Sequence, residues 1–195
     1  MESDLIFSFF KLYVSLLKFT TKMNTNSIRL AVIGGGNMGG AIVRGLVKGS
    51  LIQGSQITVS DINESILSQL KSFDASLTTT TSNVQAIQDA DIVLLAVKPW
   101  LVTTIAEEIG NKLNYDRQML VSIAAGVDFY TLGKLFSDEA VLFRLIPNTA
   151  IEIMQSVCVL SSHKASTEQE SLISRIFSEV GKVFLVPESQ QGAFT

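Results

Sequence analysis

The sequence predicts an α/β fold built on a doubly wound, mostly parallel sheet. Three observations carry that expectation. Short apolar runs alternate with amphipathic helical stretches, the first run ends in a glycine-rich turn that opens a helix, and no internal repeat or low-complexity tract breaks the alternation. The 195 residues suffice for one domain with its own core. Charged residues make up 17% and apolar ones 47%, against about 25% charged in an average soluble domain, which excludes disorder. A net charge of −3 offers no basic face for phosphate tracking, so nucleic acid is not expected as a partner. One cysteine, Cys158, and one histidine, His163, exclude a disulfide framework, Cys- or His-rich metal sites and the usual nucleophile triads. Both read as structural: a small buried side chain and a surface polar one. Chemistry must therefore come from something the chain binds.

The elements follow in order. Residues 28–33, Ile-Arg-Leu-Ala-Val-Ile, form a short apolar run ending at glycines, as a buried parallel strand does. A helix is expected over 38–48 and a second strand over 56–60. Asn63 then caps a helix whose Ile66, Leu67, Leu70 and Phe73 share one face. Residues 76–81 are a threonine-rich, more exposed strand. The runs 91–97 and 119–123 are the most strand-like, with a helix over 102–113 between them, and 141–146, 157–160 and 183–186 add three further strands. Thr167-Glu168-Gln169-Glu170 has capping-box spacing. Leu172, Ile173, Ile176, Phe177 and Val180 form the stripe of that last helix, which Gly181 is expected to end.

Gly34-Gly35-Gly36-Asn37-Met38-Gly39 fits G-x-G-x-x-G between the first strand and first helix, where the pattern has a mechanism. Gly34 permits the tight turn, Gly36 lets the backbone approach a diphosphate, and Gly39 lets helix and strand pack closely. Unsatisfied N–H groups of the first helical turn, with the positive end of the helix dipole behind them, then face the phosphates. Asp61 ends the second strand, 22 residues past Gly39. Its carboxylate suits the ribose hydroxyls of NAD and would face the 2′-phosphate of NADP, leaning the cofactor toward NADH. The plainer reading is that Asp61 only caps the next helix. Lys98-Pro99 closes the fourth strand, Ser122-Ile123-Ala124-Ala125-Gly126 the fifth, and Arg144-Leu145-Ile146-Pro147-Asn148-Thr149 the sixth. Open α/β sheets place ligands beyond these carboxyl ends, and the small residues after the fifth strand leave room for a flat ring.

Four of these segments, the glycine turn, Ala96-Val97-Lys98-Pro99, Ala124-Ala125-Gly126-Val127 and Pro147-Asn148-Thr149, resemble in order and spacing the N-terminal half of pyrroline-5-carboxylate reductase. The likeness runs from Ile28 to the end of the chain. It implies a Rossmann-type fold and reduction of a small cyclic imine, 1-pyrroline-5-carboxylate, to L-proline by NADPH or NADH, the last step of proline biosynthesis, in the cytoplasm. It also implies that Ile33, Gly34, Gly35, Gly36, Asn37 and Met38 cradle the diphosphate, with Asp61 and Asn83 at the adenosine ribose. Ala96, Val97, Lys98, Pro99, Ile123, Ala124 and Ala125 would line the nicotinamide side, with Asn148 and Thr149 near the substrate. Family members often carry Ser, Asn or Arg where this chain has Asp61.

Residues 27–188 are expected to form the NAD(P)-binding domain, with 189–195 opening an all-helical second domain that the chain lacks. In the resembled family that domain supplies the dimer interface, most of the substrate-carboxylate site and the proton donor. No catalytic residue is therefore mapped. The 195-residue chain is expected to bind cofactor but turn over poorly, to expose an apolar patch where the helical domain docks, and to oligomerise only with that domain present. Residues 1–26 read as an extension. Its apolar stretch 5–19 spans only roughly 23 Å as a helix, short of the ~30 Å hydrocarbon core, and acidic Glu2 and Asp4 do not suit a signal peptide. Met23 is the expected natural start; a peripheral amphipathic anchor is the alternative. Two rival functions stand beside the reductase: another Rossmann reductase related to 3-hydroxyacid dehydrogenases, and a non-catalytic dinucleotide-binding module.

Overall fold

The computed structural model describes residues 28–194. The extension 1–26, with its stretch 5–19 and Met23, and the last residue, Thr195, lie outside the described residues. The strands are β1 (Leu30–Ile33), β2 (Ile57–Ser60), β3 (Thr78–Thr80), β4 (Ile92–Leu95), β5 (Met119–Ser122), β6 (Val141–Ile146), β7 (Ser156–His163) and β8 (Gly181–Leu185). The helices are α1 (Asn37–Lys48), α2 (Glu64–Phe73), α3 (Asn83–Ile87), α4 (Val102–Ile109), α5 (Phe129–Leu135), α6 (Thr167–Ser178) and α7 (Glu188–Gln191).

One eight-stranded sheet runs in the order β3-β2-β1-β4-β5-β6-β7-β8. All neighbours are parallel except β6 and β7, which pair antiparallel from Leu142↔His163 to Ile146↔Val159. The chain winds outward from β1 to β3, then returns to the other side of β1 with β4. That reversal opens a crevice at the carboxyl ends of β1 and β4, whose register is flush from Leu30↔Ile92 to Ile33↔Leu95.

Strand alternation assigns each side chain to a layer. Leu30, Val32, Val59, Leu94, Phe143 and Leu160 face α1, α2 and α6, meeting Ile42, Leu46, Leu70, Ile173 and Phe177. Ala31, Ile33, Val93, Leu95 and Leu142 face the opposite layer, meeting Ile87 of α3, Val102 and Ile105 of α4, and Phe129 and Leu132 of α5. Both faces of the central strands are covered, which is why they read as unbroken apolar runs.

Four local expectations change. β7 runs on to His163 because β6 pairs with its polar end. Helices α3 and α5, each under eight residues, carried too little periodicity to be read. The cap of α6 is Ser166, one residue earlier than expected: its hydroxyl accepts Gln169 N–H while Gln169 Oε1 accepts Ser166 N–H. Helix α6 ends at Ser178, and Gly181 instead opens β8, where a Cβ would lie 2.0 Å from the carbonyl oxygen of its partner Ser156. At the β7–β8 edge Val157, Phe184 and Leu185 are exposed, with Phe184 and Leu185 on opposite faces of the sheet. Among the described residues, no helix is long and apolar enough to cross a membrane.

Candidate functional site

Ile33 ends β1 and Gly34 turns the chain at φ +99°, a conformation that favours glycine. Its N–H donates to Ser60 O at 2.8 Å, tying the turn to β2. A Cβ on Gly34 would come within 2.6 Å of Ala96 O and 3.2 Å of Val97 Cγ1, so the turn lies directly against the end of β4. A Cβ on Gly39 would sit 2.0 Å from Gly34 O; the glycine lets α1 start this close to the turn. Gly36 differs. It is the N-cap of α1, no side chain caps the helix there, and a Cβ would meet nothing within 4 Å. The opening of a 12-residue helix therefore faces clear space, the arrangement that receives an anion on main-chain N–H groups. Gly35 is buried, Asn37 exposed, and Met38 packs against the core beneath α1.

Asp61 stands beside this turn. Its Oδ2 accepts Gly35 N–H at 2.8 Å and its Oδ1 accepts Asn63 N–H at 2.9 Å. Asn63 itself caps α2 by accepting Ser65 N–H, so the carboxylate braces the glycine turn in addition to supporting the next helix. Each carboxylate oxygen retains a lone pair for a further donor. Asn83 begins α3 on the same rim: its Oδ1 accepts the Ser60 hydroxyl at 2.7 Å, and its Nδ2 donates to Glu108 Oε2 at 2.7 Å. Ser60, Asp61, Asn83 and the glycine turn thus form one hydrogen-bonded group.

Across the crevice, Ala96 N–H donates to Ile33 O at 2.8 Å. Val97 is half-buried, Lys98 is exposed, and Pro99 opens a short 3-10 turn, Pro99–Leu101. After β5, Ile123 is half-buried, Ala124 buried and Ala125 exposed. Asp128 caps α5, and the hydroxyl and N–H of Thr131 hold its carboxyl below the usual carboxylate range. After β6, Asn148 caps the 3-10 segment Thr149–Ile153 by accepting Ala150 N–H at 3.2 Å, and its own N–H donates to Ser156 Oγ. That segment packs on α1, where Arg44 meets Glu152 at 2.9 Å. Asn148 is exposed, and it is held by its own turn rather than by the glycine loop.

Three features escaped the sequence reading. Glu108 reaches Asn83 from α4, 25 residues on. Trp100, 74% exposed, follows Lys98-Pro99 at the end of β4. Glu188 accepts from both Arg144 Nη1 (2.8 Å) and Phe129 N–H (2.7 Å), fastening α7 to β6 and α5. A separate cleft of about 390 Å³, lined by Arg29, Thr58, Thr78, Gln85 and Asp89, contains none of these site residues. Among the described residues, no group of His, Cys, Asp and Glu is placed to hold a metal ion.

The winding of the sheet and the bare helix opening at its switch point define a Rossmann-type α/β domain. The family described as NADP oxidoreductase coenzyme F420-dependent matches residues 29–126. The chain belongs to that family. It is 29% identical over 168 residues to a pyrroline-5-carboxylate reductase of Methanosarcina acetivorans, covering 86% of this chain and 62% of that protein. The solved pyrroline-5-carboxylate reductase of Coxiella burnetii superposes with a TM-score of 0.80 at 29% identity, over 84% of this chain and 61% of that one. The pyrroline carboxylate reductase of Plasmodium falciparum, solved with NADP bound, shares the fold at a TM-score of 0.75 and 21% identity, over 84% and 59%. The chain thus spans about three fifths of the length of these relatives.

Proposed function

We propose that this chain forms the dinucleotide-binding part of a pyrroline-5-carboxylate reductase that acts in the cytoplasm, reducing the cyclic imine 1-pyrroline-5-carboxylate to L-proline. The observation that carries the reading is the uncapped opening of α1 at Gly36, clear of side chains and just past the Gly34 turn that lies against the end of β4. Its residues fit a dinucleotide diphosphate: Gly34 and Gly35, whose N–H groups are held by Ser60 and Asp61, shape the turn, Gly36, Asn37 and Met38 present the main-chain N–H groups, and Gly39 keeps the helix close behind them. Bound there, NADPH or NADH supplies the hydride. Asp61 and Asn83 hold the adenosine ribose, Ala96, Val97, Lys98, Pro99, Ile123, Ala124 and Ala125 border the nicotinamide, and Asn148 and Thr149 stand toward the substrate. The work of these residues is orientation and exclusion of water.

The fixed Asp61 carboxylate favours NADH. A 2′-phosphate at about 4 Å would meet a repulsion of about 4 kcal/mol per unit charge at an effective dielectric of about 20. Partners other than the small imine are not expected at this site, and pairing of copies belongs to a helical region of the kind the family carries. Titration with NADH and NADPH, followed by melting temperature and amide NMR, tests the reading. Saturating amounts of both that leave the protein unmoved would overturn it. A steady-state assay with pyrroline carboxylate, with and without a helical domain added in trans, tests the reductase assignment itself.

A further inference from the structure

We propose that Glu108 is a positioning residue for the adenosine-ribose end of the site, acting through Asn83; this rests on the reading that a nicotinamide dinucleotide occupies the glycine turn. The Asn83 amide is held at both ends. Its Oδ1 accepts the Ser60 hydroxyl and its Nδ2 donates to Glu108 Oε2, both at 2.7 Å. A hydroxyl donates or accepts, so Ser60 alone would tolerate either orientation of the amide. An ionised carboxylate only accepts. Glu108 therefore admits the NH2 side alone, which turns Oδ1 toward Ser60 and makes the serine the donor.

Once set, the amide has one N–H and one oxygen lone pair left, the complement of a vicinal diol that both accepts and donates. The same chain of bonds reaches the glycine turn, because Ser60 is fully buried and its carbonyl takes Gly34 N–H at 2.8 Å. Glu108 is itself exposed, beside the buried stripe of α4 formed by Val102, Ile105, Ala106 and Ile109. The fold has no packing need for a carboxylate there, and alanine suits a helix at such a position.

The test compares the wild-type chain, Glu108→Ala and Glu108→Gln for binding of NADH and of reduced nicotinamide mononucleotide, which lacks adenosine, each followed by nicotinamide fluorescence. Loss of one oriented hydrogen bond predicts NADH binding about 3- to 10-fold weaker in Glu108→Ala. Glu108→Gln, whose amide donates as well as accepts and so no longer dictates which way the Asn83 amide faces, is expected to fall between wild type and Glu108→Ala. Mononucleotide affinity and melting temperature stay unchanged in both variants. Equal NADH affinity in Glu108→Ala and wild type overturns the proposal, as does an equal loss for the mononucleotide, which would mark a general structural effect. Failure of the wild-type chain to bind either NADH or NADPH would instead overturn the dinucleotide reading, and this inference with it.

Discussion

Gly36 and Gly39 stand three residues apart in one motif and bear opposite loads. At Gly39 an added methyl meets Gly34 O at 2.0 Å, so Gly39→Ala should lower stability by about 1–3 kcal/mol, as overpacking does, measurable by urea denaturation. At Gly36 the methyl meets nothing. Gly36→Ala should cost no more than about 1 kcal/mol, the N-cap difference between the two residues, while weakening dinucleotide binding at least tenfold in the same titration. Asp61→Ser should shift the ratio of NADPH to NADH affinity toward NADPH by tenfold or more, since about 1.4 kcal/mol of the removed repulsion suffices for that factor. Tighter NADPH binding by wild type, unchanged in Asp61→Ser, would refute that electrostatic role. The glycines were legible because their spacing encodes a backbone shape. Glu108 was not, because its contact with Asn83 depends on how α3 and α4 pack.

Among the elements, strands with both faces covered announced themselves: β1, β4 and β5 are continuous apolar runs, found within two residues of their expected ends. Helix α5 did not, because Phe129 and Leu132 are its only buried residues and its start is fixed by partners elsewhere, Asp128 from within and Glu188 from 59 residues away. Asp128 gives a pH signature. Its native pKa lies below the unfolded value because of Thr131. The stabilisation is therefore fully present above the unfolded pKa of about 3.9 and is lost as pH falls through the lower native value. Acid titration of stability should show that loss in wild type and lack it in Asp128→Asn. On α6, Ser166→Ala should cost about 1 kcal/mol by removing the cap that Gln169 reciprocates.

At the scale of the molecule, the sequence conveyed the layered α/β plan but not the reversal at β7. Val157, Cys158, Val159 and Leu160 have the same character as residues of a parallel strand, and direction is decided by the connection through residues 147–155 and by pairing with β6. Cys158 lies inside the core, wholly buried, and burial pushes its thiol up. As the chain's single cysteine, it should react with a thiol reagent only as the domain opens. Its labelling rate should then fall when any native-state ligand is added, in step with the gain in stability.

Trp100 is also solitary, the one indole in 195 residues, and it lies in the turn that leaves β4 beside the crevice. Excited in the ultraviolet, it emits where a reduced nicotinamide absorbs. The molecule thus carries its own lamp at the mouth of the cleft, and occupancy could be read without a label, as dimmed indole light and a matching blue glow from the acceptor.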